Sequence, residues 1–370
     1  MNPTITNIVE DAGVLRFTVV NINVSLANAL RRVILSDIPC IIFKTSPYEQ
    51  NKATFEINTS RMNNEILKQR LSCIPIHIKD INFPLDDYQL EIDVKNNTEN
   101  VIFVTTEDFK IKNIPANKYL NSSQTKEIFP PNSFTGYYID FARLRPKLAE
   151  NIDGEHLKMK CGLSIGTAKE DGMFNMACTC SYGASQDVTK VKEAWDEKKK
   201  ELQALDETDA NIEYLKKDWL LLDAKRLIAE NSFDFIIETV GVYDNFELVE
   251  NAAKIMMKKL KTVSDNIQNN PDFIKPSAST IDNAYDIILE NEDFTVGKVL
   301  EFIMYDKYFV NSKDLTYCGF MKPHPHLDYS ILRLAFADLV DHGTITTFIS
   351  SAANDGIGVF LKIVQQFSKE

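Results

Sequence analysis

The sequence lacks the features that define several broad classes of protein. No run of 18 apolar residues is present, so no membrane-spanning helix is expected, and the polar, acidic start MNPTITNIVEDAG is unlike a signal peptide. The six cysteines form no pair of CxxC motifs, which argues against a zinc ribbon or a disulfide framework and favours a reducing compartment. A Walker loop, an Asp-x-Asp-x-Asp triad and a nucleophile–base pair are also missing. We therefore expect no catalytic residues, no metal and no cofactor.

Basic residues are also in deficit. The chain has 41 Lys and Arg against 53 Asp and Glu, a net charge of −12. Because phosphate binding needs a basic surface, this balance disfavours a nucleic-acid clamp. A length of 370 residues with 44% hydrophobic and 25% charged residues is typical of a soluble globular protein of two or three domains.

The most informative stretch is SLANALRRVILSDIPC, residues 25–40. Ser25 is a good helix N-cap, and the apolar side chains that follow recur at helical spacing on one face: Leu26, Ala29, Leu30, Val33 and Ile34. Asn28, Arg31 and Arg32 lie off this stripe. Periodicity alone leaves two interpretations open, solvated charge on an amphipathic helix or a contact surface.

Changes in pattern divide the chain into segments. Strand-like alternation flanks the first helix, short strands dominate the middle, and a strongly charged helical stretch without Gly or Pro follows. The predicted segments are a discontinuous first unit (1–50 and 230–262), a β-rich insertion (51–186), a charged helical insertion (187–229), a linker (263–279) and a last unit (280–370).

The last ninety residues repeat the first pattern. A strand at 285–289 precedes a capped helix at 295–304, and Ser25 aligns with Thr295. Glu301 and Phe302 stand where Arg31 and Arg32 stand in the first copy. Two such units can cover each other's apolar stripes. We therefore predict an α+β fold, a pseudo-symmetric intramolecular dimer of two sheet-plus-helix units with an inserted β-rich domain. Its seam comprises Leu26, Leu30, Val33, Val249, Met256, Val296, Leu300, Ile303, Phe348, Phe360 and Phe367.

Three motifs carry a resemblance to a known family. VSLANALRRVILSDIPC resembles the signature helix of the bacterial RNA polymerase alpha subunit and of the third subunit of eukaryotic RNA polymerase II. EILKQRLSCIPIHI is similar to the motif that follows it, and FDFIIETVGVY to the return strand. The last ninety residues resemble the eleventh subunit, through Thr295-Val-Gly-Lys298 and Gly319-Phe320 with Pro323-His-Pro325. Lys298 replaces the usual asparagine, and the metal-binding cysteine loop of eukaryotic and archaeal members is missing.

The resemblance implies a fused, non-catalytic assembly subunit of a DNA-directed RNA polymerase, as in large cytoplasmic DNA viruses. A viral subunit would be located in the host cytoplasm and the virion, and a non-viral one would be soluble and intracellular. It implies docking of the two large catalytic subunits and of a small subunit of the tenth or twelfth type. Asn28, Arg31 and Arg32 are the candidate contacts to the second-largest subunit. A host or archaeal-type fusion and a stand-alone protein-interaction module remain alternatives.

Two rival functions come from other residues. A metal-dependent enzyme could use His324, His326 and either Cys318 or His342, although Pro325 between the histidines favours an extended segment. A nucleic-acid-binding module could use a lysine cluster formed by Lys254, Lys258, Lys259 and Lys261. We expect no sequence-specific DNA binding, no membrane association and no small-molecule substrate.

Overall fold

The computed structural model describes residues 1–147, 149 and 152–368, and it confirms the predicted α+β class. The strands in chain order are β1 Thr4–Asp11, β2 Val14–Val20, β3 Cys40–Ile42, β4 Ala53–Asn58, β5 Tyr88–Lys95, β6 Ile102–Thr105, β7 Lys110–Asn113, β8 Lys118–Tyr119, β9 Asp140–Leu144, β10 His156–Gly162, β11 Ser164–Gly166, β12 Ala177–Gln186, β13 Ile228–Thr239, β14 Ile274–Pro276, β15 Ala284–Glu290, β16 Leu315–Met321 and β17 Tyr329–Phe336. The helices are α1 Val24–Ser36, α2 Asn64–Ser72, α3 Ser122–Ile128, α4 Val188–Ala204, α5 Asp209–Leu221, α6 Asn245–Asn269, α7 Phe294–Met304 and α8 His342–Phe367, with a π-helix at Tyr305–Asn311.

The described chain forms two compact units. The first contains residues 1–33, 179–238 and 245–370, and the second contains residues 34–178 and 239–244. The second unit therefore starts before the predicted boundary at residue 51. Its start includes β3, which pairs antiparallel with β11 from Ile42↔Ser164 to Cys40↔Gly166 and so belongs to that unit.

The first unit contains two four-stranded sheets with the same topology. One has the strand order β1-β2-β13-β12 and the other β14-β15-β17-β16. In both sheets, the strand that comes last in the chain lies between the second and the third strand. A helix follows the second strand in each set (α1 and α7), and a long helix follows the fourth (α6 and α8).

The long helix α6 corrects the predicted linker at 263–279. It continues to Asn269, because Val263 and Ile267 extend the buried stripe of Met256 and Leu260 by two more turns. The chain then enters β14, which pairs with β15. Residues 263–269 and 274–276 are therefore part of the folded unit rather than a linker.

The charged stretch folds as two helices, α4 and α5, with a small core of their own. Trp195 and Trp219 pack with ring centroids 5.5 Å apart, and Val191, Ile212 and Ala224 complete the cluster. Apart from these buried residues, most of the side chains on both helices are exposed, which accounts for the high content of Lys and Glu.

The second unit is built on the sheet β4-β10-β5-β7-β8, with the two-stranded pairs β3–β11 and β6–β9 beside it. One strand differs from the sequence prediction: β9 begins at Asp140, whereas the pattern predicts a strand over 137–141. Residues 132–137 instead form a turn, because the Asn132 side chain accepts hydrogen bonds from the Phe134 and Thr135 N–H groups.

Candidate docking face and intrachain seam

Helix α1 begins with a side-chain cap, but not at the predicted residue. The Asn23 Oδ1 accepts a hydrogen bond from the Ser25 N–H at 2.9 Å, so the cap lies two residues before Ser25. Helix α7 begins in the same way, with the Asp293 Oδ1 accepting from the Thr295 N–H at 2.8 Å. Asparagine and aspartate are among the strongest capping residues, so each of them can satisfy the first backbone N–H groups of its helix.

The apolar stripe of α1 is fully buried. Leu26, Leu30 and Val33 are each 0% exposed. The corresponding stripe of α7 is buried equally well, with Val296 and Leu300 at 0% exposure. At roughly 1.5–3 kcal/mol for each buried large aliphatic side chain, these stripes are a major source of stability for the first unit.

Asn28 and Arg31 occupy the half-buried polar side of α1 and contact each other. The Arg31 Nε donates to the Asn28 Oδ1 at 3.0 Å, a contact one helical turn along the surface. The positive charge of Arg31 also acts on the Cys180 thiol, whose pKa burial raises to about 12 and Arg31 partly lowers. We call Asn28 and Arg31 the docking face.

Arg32 contacts the beginning of α7 within the chain. Its Nε donates to the Thr295 Oγ1 at 2.8 Å, and its Nη2 lies 3.0 Å from the Asp293 Oδ2. The Asp293 carboxylate thus accepts hydrogen bonds from both the backbone of α7 and the Arg32 guanidinium. The sequence pattern places Arg32 on the outer face but does not predict this internal partner.

The predicted seam residues are buried with one exception. Ten of them are at most 5% exposed: Leu26, Leu30, Val33, Val249, Met256, Val296, Leu300, Ile303, Phe360 and Phe367. Phe348 is half-buried and packs instead against Tyr308 and Phe336, at ring-centroid distances of 4.2 and 5.5 Å. Its assignment to the seam is wrong, because its side of α8 faces the ring cluster of the last sheet.

Helices α6 and α8 pack against each other through a close approach at glycine. A Cβ atom added at Gly356 would lie 2.9 Å from the Leu260 Cδ1 and 3.2 Å from the Ile303 Cδ1, so only glycine fits without displacement. The Ser350 hydroxyl lies 3.0 Å from the Ser264 hydroxyl, which adds a polar contact between the two helices.

The end of α8 reaches the first sheet. The Phe367 ring packs edge-on against Phe17 at 4.9 Å, and Phe17 stacks on Phe235 at 5.1 Å. The Gln366 Oε1 accepts from the Ile5 N–H at 2.8 Å, which joins the same turn of α8 to β1. The last helix therefore packs on the sheet that contains the first two strands of the chain.

The residues of the rival sites do not form a metal centre in the described part of the chain, where no group of three or more His, Cys, Asp and Glu could hold an ion. His324 and His326 contact each other, with the His326 N–H donating to the His324 Nδ1. In the lysine cluster, Lys254 pairs with Glu250 and Lys259 lies 3.6 Å from Glu292. Part of that positive charge is thus neutralised locally.

Sequence reasoning missed the partners of Arg32. The available signal was Asp293 two residues before Thr295, a spacing typical of an N-cap that leaves the second carboxylate oxygen for another donor. The Asn28–Arg31 contact could also be read from its i, i+3 spacing.

A sequence model described as the RNA polymerase Rpb3/Rpb11 dimerisation domain matches residues 16–260. This chain belongs to that family. It is 24% identical to DNA-directed RNA polymerase subunit Rpo3 of Pyrococcus furiosus over 272 residues, which cover 69% of this chain and 93% of the relative. It is 25% identical to the human DNA-directed RNA polymerases I and III subunit RPAC1 over 298 residues, covering 70% and 82%. It is 24% identical to DNA-directed RNA polymerases IV and V subunit 3B of Arabidopsis thaliana over 299 residues, covering 68% and 88%.

Among the described residues, none of the helices has the length and apolar character needed to span a membrane.

Proposed function

We propose that this chain is the non-catalytic assembly platform of a multisubunit DNA-directed RNA polymerase, in which two fused halves pair with each other and dock the two large catalytic subunits. The family match and the relatives named as polymerase subunits support the role in an RNA polymerase. Residues beyond 260 lie outside the family match. The observation that carries the pairing of two fused halves is therefore the repeated sheet topology.

The repeated topology supports a pseudo-symmetric pair. Two sheets of the same unusual strand order, each with a helix after its second strand and a long helix after its fourth, occur in one compact unit. The long helices α6 and α8 pack together, as the corresponding elements of two related subunits would. Together they cover apolar faces that neither half could cover alone.

The burial of α1 and α7 supports the same register. A shift of 270 residues aligns Asn23 with Asp293, so both caps coincide. The same shift pairs six buried positions: Leu26 with Val296, Ala27 with Gly297, Ala29 with Val299, Leu30 with Leu300, Val33 with Ile303, and Ile34 with Met304.

Asn28 and Arg31 are the proposed contact to the second-largest subunit. A guanidinium held by a neighbouring amide is pre-oriented to bind a carboxylate or a carbonyl in two-point fashion. The sequence resemblance implies the same role for Arg32, and its contact with Asp293 gives it an internal role as well. The asymmetry with Glu301 and Phe302 would distinguish the two large subunits.

The finer setting rests on the sequence resemblance. That resemblance favours a viral polymerase acting in the host cytoplasm and packaged in virions, with an additional small subunit of the tenth or twelfth type. A host or archaeal-type fusion would use the same paired halves.

The experiment that tests the proposal is reversal of one docking charge. Arg31→Glu in the tagged full chain should abolish co-purification of the second-largest polymerase subunit while the circular dichroism spectrum stays unchanged. Arg226→Glu is the matched control, because Arg226 is 85% exposed on its side chain and lies after α5, outside the docking face. Normal recovery of the second-largest subunit with Arg31→Glu would refute the docking face.

A further inference from the structure

The contact between Arg32 and the beginning of α7 has no equivalent on the other side of the proposed pair. Under the 270-residue shift, the counterpart of Arg32 is Phe302, and the counterparts of Asp293 and Thr295 are Asn23 and Ser25. At one contact between the halves, Arg32 thus faces the Asp293 carboxylate at 3.0 Å and the Thr295 hydroxyl at 2.8 Å. At the corresponding contact on the other side, the Phe302 ring would face the amide of Asn23 and the hydroxyl of Ser25.

We propose that Arg32, Asp293 and Thr295 form a pairing-specificity contact that favours association of unlike halves over association of like halves. This inference rests on the paired halves proposed above and goes beyond them, because it assigns to one ion pair the choice of which halves pair. The buried apolar positions of α1 and α7 match one for one, so the pattern of burial does not by itself make that choice.

Comparison of the possible pairings shows why the contact discriminates. If two first halves paired, Arg32 would face Asn23 and Ser25, which offer no negative charge. If two last halves paired, Asp293 would face Phe302 in place of the Arg32 guanidinium, while its side chain stays largely covered, as it is here at 28% exposure. Only the unlike pairing places opposite charges together, so the same residues provide attraction in one arrangement and a penalty in the others.

The contact matters for a fused chain because pairing can occur between molecules. Each chain carries one copy of each half, so association of like halves must join two chains. Mispairing is therefore visible as a change in molecular mass. The chain has a mass of 42.1 kDa. Pairing of its own two halves leaves it monomeric.

The test compares the oligomeric state of full-length variants refolded from urea at high protein concentration, measured by size-exclusion chromatography with light scattering. Arg32→Glu places like charges together in the correct pairing, and we expect it to raise the dimer fraction about fivefold or more. The double variant Arg32→Glu with Asp293→Lys reverses the pair and should return the chain to the monomer.

The matched control is Arg333→Gln. Arg333 also makes a two-point contact with an aspartate, Asp286, at 2.6 and 2.9 Å, but the two residues lie opposite each other on neighbouring strands of one sheet. Its loss should leave the chain monomeric. A dimer fraction for Arg32→Glu no higher than that of Arg333→Gln would overturn the proposal, as would a double variant that stays dimeric.

A second variant separates this proposal from the one on which it rests. Leu300→Asp puts a charge into the buried stripe of α7 and should increase hydrogen exchange in α6 and α8 if the halves are paired. Unchanged exchange would refute the paired halves. Increased exchange with no mass change for Arg32→Glu would refute only the specificity contact.

Discussion

Gly356 offers the most direct test of the packing between α8 and the helices around it. A valine at this position would place two methyl groups where even a single Cβ lies 2.9 Å from Leu260 and 3.2 Å from Ile303. Valine is stiff about χ1 and cannot turn away. Overpacking a core costs about 1–3 kcal/mol, whereas replacing glycine within a helix regains only roughly 0.3–0.5 kcal/mol. The expected net loss is about 0.5–2.7 kcal/mol.

The control for this prediction is Gly358→Val, two residues further along α8. No atom lies within 4 Å of a Cβ built at Gly358, so the same substitution should be neutral or slightly stabilising. Hydrogen exchange measured by mass spectrometry on peptides of α6 and α8 separates the two outcomes, with faster exchange in both helices for Gly356→Val alone. Equal protection in the two variants would refute the close packing of α6 on α8.

Three further predictions concern other parts of the chain. Gly297→Ala should lower the thermal midpoint by a few degrees in a melt followed by circular dichroism, because the added Cβ would lie 1.9 Å from the Phe320 ring and the overpacking cost of about 1–3 kcal/mol outweighs the roughly 1 kcal/mol that alanine gains in helix propensity; an unchanged midpoint would contradict this contact. Burial lowers the pKa of His77, so its unfolded state binds the proton more readily. Stability of the second unit should be complete above about pH 6.5 and decline as the pH falls toward the lowered pKa, and His77→Gln should flatten this part of a pH series of urea midpoints. A thiol titration with Ellman's reagent should find two accessible cysteines in the folded chain and six in urea, because Cys73 and Cys178 are exposed while burial raises the pKa to about 12 in Cys40, Cys161, Cys180 and Cys318. Partial burial and the nearby Asp171 also raise the pKa of Cys73, so Cys73 should react slowly.

Elements with strong periodicity could be predicted from the sequence. The buried stripes of α1 and α7 follow from apolar residues at i, i+3, i+4 and i+7, and the sequence pattern over residues 53–58 predicts a strand with the bounds of β4. The ends of helices were harder to predict, because two nearby residues can each cap the same helix. Asn23 caps α1 in place of Ser25, and Asp293 caps α7 in place of Thr295.

Errors arose where long-range packing outweighs local signals. Polar residues near 263–269 suggested a linker, but Val263 and Ile267 are buried against the rest of the first unit and prolong the helix. Phe348 has the spacing of a seam residue, yet it joins the rings of Tyr308 and Phe336. Whether a side chain packs in one cluster or another depends on which residues lie next to it in the folded chain.

The candidate site was predictable in identity but not in geometry. The residue types at 28, 31 and 32 stood out because the second copy of the helix does not repeat the arginines. Periodicity cannot tell an arginine that faces solvent from one that reaches a helix 263 residues away, as Arg32 reaches Thr295. The division between Arg31 on the docking face and Arg32 at the internal contact therefore required the structure.

The proposed role of this chain is to serve as an assembly platform for the two large catalytic subunits. The most direct measurement is purification of the tagged full-length chain from its natural source, with mass spectrometry of the proteins that accompany it. We predict two very large polypeptides in equal amount to the chain, identified by sequence as the catalytic subunits of a DNA-directed RNA polymerase, and RNA synthesis on a DNA template by the purified complex. Isolation of an active polymerase that lacks this chain, or recovery of the chain without either large subunit, would contradict the account.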